Sequence, residues 1–215
     1  MAKVSDTPVA EIPGDLLREG IVDRLRAEIG DAIVDTLLKP GDDLWIRVRP
    51  DAWRTTGQAL KKLGFDYFCF LSGLDWLPSP FGRGEDDPTA PPPERSTDVV
   101  PGYTGGDTRF QVFARVVSLE QHVGVTVKTD VPDSMIVDSW MSVYPGANWH
   151  EREAWEMFGI GFAGHSDLRH LYLPTDFEGF PLRKDFPLLA RIVKPWPGIV
   201  DVEPMPGGDD EEASE

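Results

Sequence analysis

The stretch Gln121-His122-Val123-Gly124-Val125-Thr126-Val127-Lys128-Thr129 decides the fold class. Val123, Val125 and Val127 alternate with small or polar residues, the two-residue period of a half-buried strand. Arg109–Val117 precedes it as a second strand, and the aromatic-rich run Phe65–Leu71 suits a buried one. Further upstream, Ala32–Leu38 and Leu44–Arg49 flank Lys39-Pro40-Gly41-Asp42-Asp43 and predict a hairpin. Helical periods separate these runs. Leu17, Ile21, Leu25 and Ile29 recur every four residues and stop at Gly30. Pro50-Asp51 opens a second helix with Trp53, Leu60 and Leu63 on one side, ended by Gly64. Ser134–Val143 reads as a third. The fold class expected is therefore α+β, a mixed sheet layered with helices, its core domain spanning 1–144.

Two segments fall outside that pattern. Leu77–Asp107 holds seven prolines, five glycines and few large apolar residues, and reads as a surface loop insertion. Beyond Gly159 no period holds up to Gly198, because Pro174, Pro181, Pro187, Pro195 and Pro197 break any regular element. That stretch is nevertheless rich in Leu168, Leu171, Tyr172, Phe177, Phe180, Phe186 and Trp196. Disorder is apolar-poor, so residues 145–200 read as a signature helix and a long extended C-terminal arm that buries its anchors on another protein. On this reading truncation after Gly164 leaves the core folded and abolishes assembly.

Composition narrows the chemistry. The 215 residues can bury roughly 70% of their unfolded surface, so neither disulfide nor metal is needed to fold. No apolar run approaches the roughly 18 residues that cross a bilayer, and the polar Met1–Ile12 lacks a signal-peptide hydrophobic region. Cys69 is the sole cysteine, which excludes an internal disulfide and an all-cysteine iron–sulfur cluster of four thiolates. Set in Tyr67-Phe68-Cys69-Phe70-Leu71, it reads as a small core hydrophobe. The net charge of −16 is concentrated: residues 201–215 carry seven acids and no base, as an acidic disordered tail. No basic stripe exists for nucleic acid.

The chemistry-bearing motifs cluster after Pro145. Asn148 followed by Glu151 has the capping-box pattern and starts a helix Trp149–Phe158 that stops at Gly159. Arg152 and Glu156, one turn apart, are expected to pair. Gly159-Ile160-Gly161-Phe162-Ala163-Gly164 spells the dinucleotide fingerprint, but a helix precedes it where a strand is required, so nucleotide binding is rejected. His150, Glu151, Glu153, Glu156, His165 and Asp167 lack the spacing of a metal site and read as a charged interface face.

The run Glu151-Arg152-Glu153-Ala154-Trp155-Glu156-Met157-Phe158-Gly159-Ile160, then His165-Ser166-Asp167-Leu168-Arg169, then Leu173-Pro174 through Glu178-Gly179-Phe180-Pro181-Leu182-Arg183-Lys184-Asp185-Phe186-Pro187 resembles a known signature. It is that of the 30-kDa subunit family of respiratory complex I, the bacterial NADH-quinone oxidoreductase. The resemblance implies a non-redox scaffold subunit in the peripheral arm of a proton-translocating complex. It would sit peripherally on the cytoplasmic side of the cell membrane, touching the membrane only through the complex. Its partners would be the 49-kDa-type subunit and neighbouring iron–sulfur subunits, which carry electrons from NADH through FMN and iron–sulfur clusters to quinone. This chain would bind no cofactor or metal and carry no catalytic residue. Subunit-interface roles fall to Glu151, Arg152, Glu153, Glu156, His165, Arg169, Arg183, Lys184 and Asp185. The alternatives are the equivalent subunit of a hydrogenase- or ferredoxin-linked membrane complex, and a stand-alone metal hydrolase using His150, Glu153 and His165.

Overall fold

The computed structural model describes residues 15–39, 42–79 and 96–187. The tail, the arm from Leu188 onward, and residues 80–95 of the insertion lie outside the described residues. Helix α1 (Leu16–Ile29) starts where the Asp15 side chain accepts from the Arg18 N–H, and ends at Gly30, whose φ of 59° a side chain would resist. The hairpin forms as predicted from β1 (Ile33–Leu37) and β2 (Leu44–Val48), paired antiparallel. Helix α2 (Trp53–Lys62) follows, then β3 (Tyr67–Asp75), β4 (Phe110–Ser118) and β5 (Val123–Asp130).

These strands form one sheet in the order β1-β2-β5-β4-β3. The β2–β5 pair is parallel and the other pairs are antiparallel, so the sheet is mixed and the α+β expectation holds. Leu44, Ile46, Val112, Ala114, Val116, Val125 and Val127 are fully buried, in one cluster with Ile21 and Leu25 of α1 and Trp53 and Leu60 of α2.

The other face of the sheet differs from expectation. β5 is buried on both faces, with Thr126 and Lys128 only 2% and 1% exposed. Asp43 accepts from Thr126 and pairs with Arg115, Arg47 bridges Asp107 and Asp130, and Lys128 lies under the Trp76 ring. Polar side chains that pair with one another and an aromatic cover thus dry a face that alternation alone marks as wet. Cys69 lies at this face and not in the core: it is half-buried, with the Arg115 guanidinium donating to Sγ at 3.1 Å.

Residues 134–143 do not form the predicted helix. They hold a short strand β6 (Ile136–Asp138) that pairs in parallel with β7 (Gly161–Ala163). Met135 adopts a φ of 56°, which no helix admits, and Trp140 turns its indole onto Trp53. The core continues past Tyr144. Helix α3 (Ala147–Phe158) lies on β3, and Ala154, Phe158, Ile160 and Phe162 join the buried cluster. Gly73 permits that approach, since a Cβ there would lie 2.7 Å from the Phe158 ring.

Candidate functional site

Helix α3 and the chain after it carry the signature residues. The helix begins at Ala147 behind Gly146, with no side-chain cap, so the Asn148–Glu151 capping box does not form. Glu151 instead points inward and is fully buried. Its carboxylate accepts from Ser139 Oγ at 2.5 Å and from the Trp140 N–H at 2.6 Å, closing the 139–140 turn onto the helix. Burial pushes its pKa up to about 7, against those two hydrogen bonds and the nearby Arg54 guanidinium.

Arg152 and Glu156 do not pair with each other; each grips the backbone of the arm. Arg152 donates to the carbonyls of Arg169 and His170 at 3.0 and 2.9 Å. Glu156, its side chain fully buried, accepts from the N–H groups of Leu171, Tyr172 and Leu173 at 2.9, 3.1 and 2.6 Å, and its other contact is His170 Nδ1 at 3.1 Å. Burial opposes its charge, but the backbone donors outweigh burial and hold its pKa below the ordinary value. A helical turn that supplies a guanidinium and a carboxylate meets both polarities of a peptide backbone at once.

A second grip lies where β3 ends and β4 begins. Arg109 donates to Asp75 at 2.9 and 2.7 Å and to Asp185 at 3.0 and 2.8 Å. Asp75, with its side chain fully buried, also accepts from the N–H groups of Leu77 and Lys184. Between the grips, Arg183 Nε donates to the Phe158 carbonyl at 2.7 Å, and its guanidinium lies over the rings of Phe110 and Phe180. Gly159, at φ 75°, makes room for it: a Cβ there would meet Arg183 at 2.5 Å.

The remaining signature residues are more open. His165 contacts the Asn148 carbonyl, Arg169 pairs with Asp167 at the surface, Lys184 is exposed and Glu153 half-exposed. His150 packs edge-on against Phe68, and no group of three His, Cys, Asp or Glu gathers as metal ligands among the described residues. The Gly159–Gly164 run follows a helix, and no helix follows it among the described residues. Trp149, Tyr172 and Leu182 stay largely exposed. Sequence reading missed Asp75, Arg109, Ser139 and Trp140. A lone acid closing an apolar strand, as Asp75 does, was the only local signal.

The family described as respiratory-chain NADH dehydrogenase, 30 Kd subunit, matches residues 46–191. The chain belongs to this 30-kDa subunit family. Among its relatives, the NADH-quinone oxidoreductase C subunit of Xanthomonas campestris pv. campestris (strain B100) is 31% identical over 194 residues, covering 79% of this chain and 77% of that one. The corresponding oxidoreductase subunit of Hydrogenovibrio crunogenus is 35% identical over 184 residues, covering 78% and 79%. A chain in the membrane-bound sulfane sulfur reductase, an archaeal respiratory membrane complex, shares the fold at a TM-score of 0.59. It is 22% identical and covers 80% of this chain and 86% of that one. The 30-kDa family is one of subunits, so the chain works within a larger assembly with others. No helix among the described residues is long and apolar enough to cross a membrane.

Proposed function

We propose that this 30-kDa family member is a non-redox structural and assembly subunit of a proton-translocating NADH:quinone oxidoreductase. It joins the peripheral arm on the cytoplasmic side of the membrane and docks the 49-kDa-type subunit and neighbouring iron–sulfur subunits. FMN and the iron–sulfur clusters belong to those neighbours, and this chain holds no cofactor. One observation carries the reading: the buried charged residues of the signature are spent on backbone positioning. Glu151, Arg152 and Glu156, together with Asp75 outside the signature, each bind peptide groups of their own chain, and all four are buried. Such residues set a shape for a partner to read. Glu153, Arg169 and Lys184, with the exposed Trp149, Tyr172 and Leu182, supply the outward contacts.

The test is to truncate the arm in the native complex, then measure both the amount of assembled particle and the turnover per particle. Quinone reduction falling in proportion to assembled particle supports the scaffold reading. A full complement of assembled particles with slower turnover sinks it, as does stoichiometric flavin or iron in the purified chain. The fold shared with the archaeal reductase supports a second reading, the equivalent subunit of a hydrogenase- or ferredoxin-linked membrane complex. Identification of a nucleotide-and-flavin subunit in the purified particle separates the two.

A further inference from the structure

We propose that Asp75 and Glu156 are positioning residues that fold residues 165–187 onto the chain's own core before any partner subunit arrives. Four backbone N–H groups of the arm, those of Leu171, Tyr172, Leu173 and Lys184, donate to these two carboxylates. Both carboxylates are fully buried and rooted in regular structure, Glu156 in α3 and Asp75 at the end of β3. Arg152 takes the two carbonyls directly preceding the Glu156 donors, so five consecutive residues, 169–173, have their backbone fixed by one helical turn. Arg109 ties Asp75 to Asp185 beside the second grip. The Leu182 N–H donates to the Met157 carbonyl and the Arg183 guanidinium to that of Phe158, so residues 182 and 183 lie on the end of α3.

These contacts address backbone more than side chains, and that determines what they do. They set the path of the arm and leave Tyr172 and Leu182 free to face outward. Ordering a flexible segment at the moment of docking is a cost that subtracts from affinity, and a segment already ordered escapes it. The effect on docking rests on the assembly reading above. The folding of the arm in the free chain does not.

The test is hydrogen exchange, resolved to single amides, on the full chain purified without partners, as wild type and as Asp75→Asn and Glu156→Gln. In the wild type the amides of Leu171, Tyr172, Leu173 and Lys184 should exchange roughly tenfold to a hundredfold more slowly than in an unstructured peptide, the range of a hydrogen bond to a buried charge. Glu156→Gln should release the three amides at 171–173 and leave Lys184 protected; Asp75→Asn should do the reverse. Amides of β4 and β5 report in the same experiment that the core is folded. Wild-type arm amides exchanging at the unstructured rate overturn the proposal, whether or not either variant folds. Release of both grips by either single substitution, with β4 and β5 still protected, also overturns it. Co-expression with the neighbouring subunits is read separately: failure of the wild-type chain to assemble counts against the proposed function and leaves the exchange pattern to decide this inference.

Discussion

The indole of Trp140 stacks on that of Trp53, with ring centroids 4.4 Å apart, and its Nε1 donates to the Trp53 carbonyl at 2.8 Å. This contact pins the irregular segment before α3 to the first turn of α2. One turn further along α2, Gly57 faces the same ring, and a Cβ there would lie 2.8 Å from it.

Gly57→Ala therefore sets two effects against each other. Alanine gains about 1 kcal/mol of helix propensity. The clash costs about 1–3 kcal/mol, because Trp140 is fully buried and boxed between Trp53 and Tyr144. The clash wins, and the urea midpoint should fall with the slope unchanged. A raised midpoint would mean that the indole can slide.

Tyr144→Phe should cost about 1–3 kcal/mol, although it removes a single oxygen. The hydroxyl donates to the Phe65 carbonyl at 2.9 Å in a buried setting, and its loss leaves that carbonyl unpaired. Equilibrium denaturation checks it, and a change within error would mean that water reaches the carbonyl.

Glu151 makes stability depend on pH in an unusual sense. Its pKa rises from 4.5 to about 7 on folding, so the folded state favours the protonated form. The stabilisation is complete below the unfolded value and is lost as pH rises through about 7, amounting to up to about 3 kcal/mol. Glu151→Gln stays neutral throughout. Between pH 5 and pH 8 the variant should gain on the wild type by most of that amount in thermal or urea melts. A pH-independent difference would sink the assignment. Below pH 4 the trend reverses, because Asp75, Glu156 and Asp185 all have lowered values and lose their stabilising contribution as they protonate.

The parts legible in the sequence are those fixed by local rules. Gly30 and the four-residue spacing from Leu17 mark α1, and the valine alternation at 123–127 marks β5. What escaped was set by distant partners. Ser134–Val143 has helix-like apolar spacing, yet Met135 at positive φ, the pairing of Ile136–Asp138 with Gly161–Ala163 and the stacking of Trp140 on Trp53 override it. The Asn148–Glu151 spacing mimics a capping box, but Glu151 is drawn to the Ser139 hydroxyl and the Trp140 amide, neither of which the helix sequence announces. Arg152 and Glu156 have i,i+4 spacing, and the arm's backbone outcompetes their pairing by offering each of them two or more partners. The family signature was legible at once; its physical work was not.

The final prediction concerns two truncations that the sequence alone would treat alike. Ending the chain after Gly164 leaves every strand of the main sheet intact, and on the expectation that the core stops at Tyr144 it should be harmless. The contacts argue otherwise. That truncation strips Glu156 of three backbone donors, Arg152 of both carbonyls and Arg109 of Asp185, and it removes Arg183 from the Phe158 carbonyl and the Phe110 ring. Water rehydrates part of what is exposed, which is why the loss is smaller than the sum of these bonds. Ending the chain after Pro187 keeps all of them. The 1–187 chain should therefore be more stable than the 1–164 chain by about 3 kcal/mol or more in urea denaturation, the scale of an uncompensated buried charge. Equal midpoints would mean that the grips on the arm contribute nothing to the fold, and that the arm rests on the core without holding it.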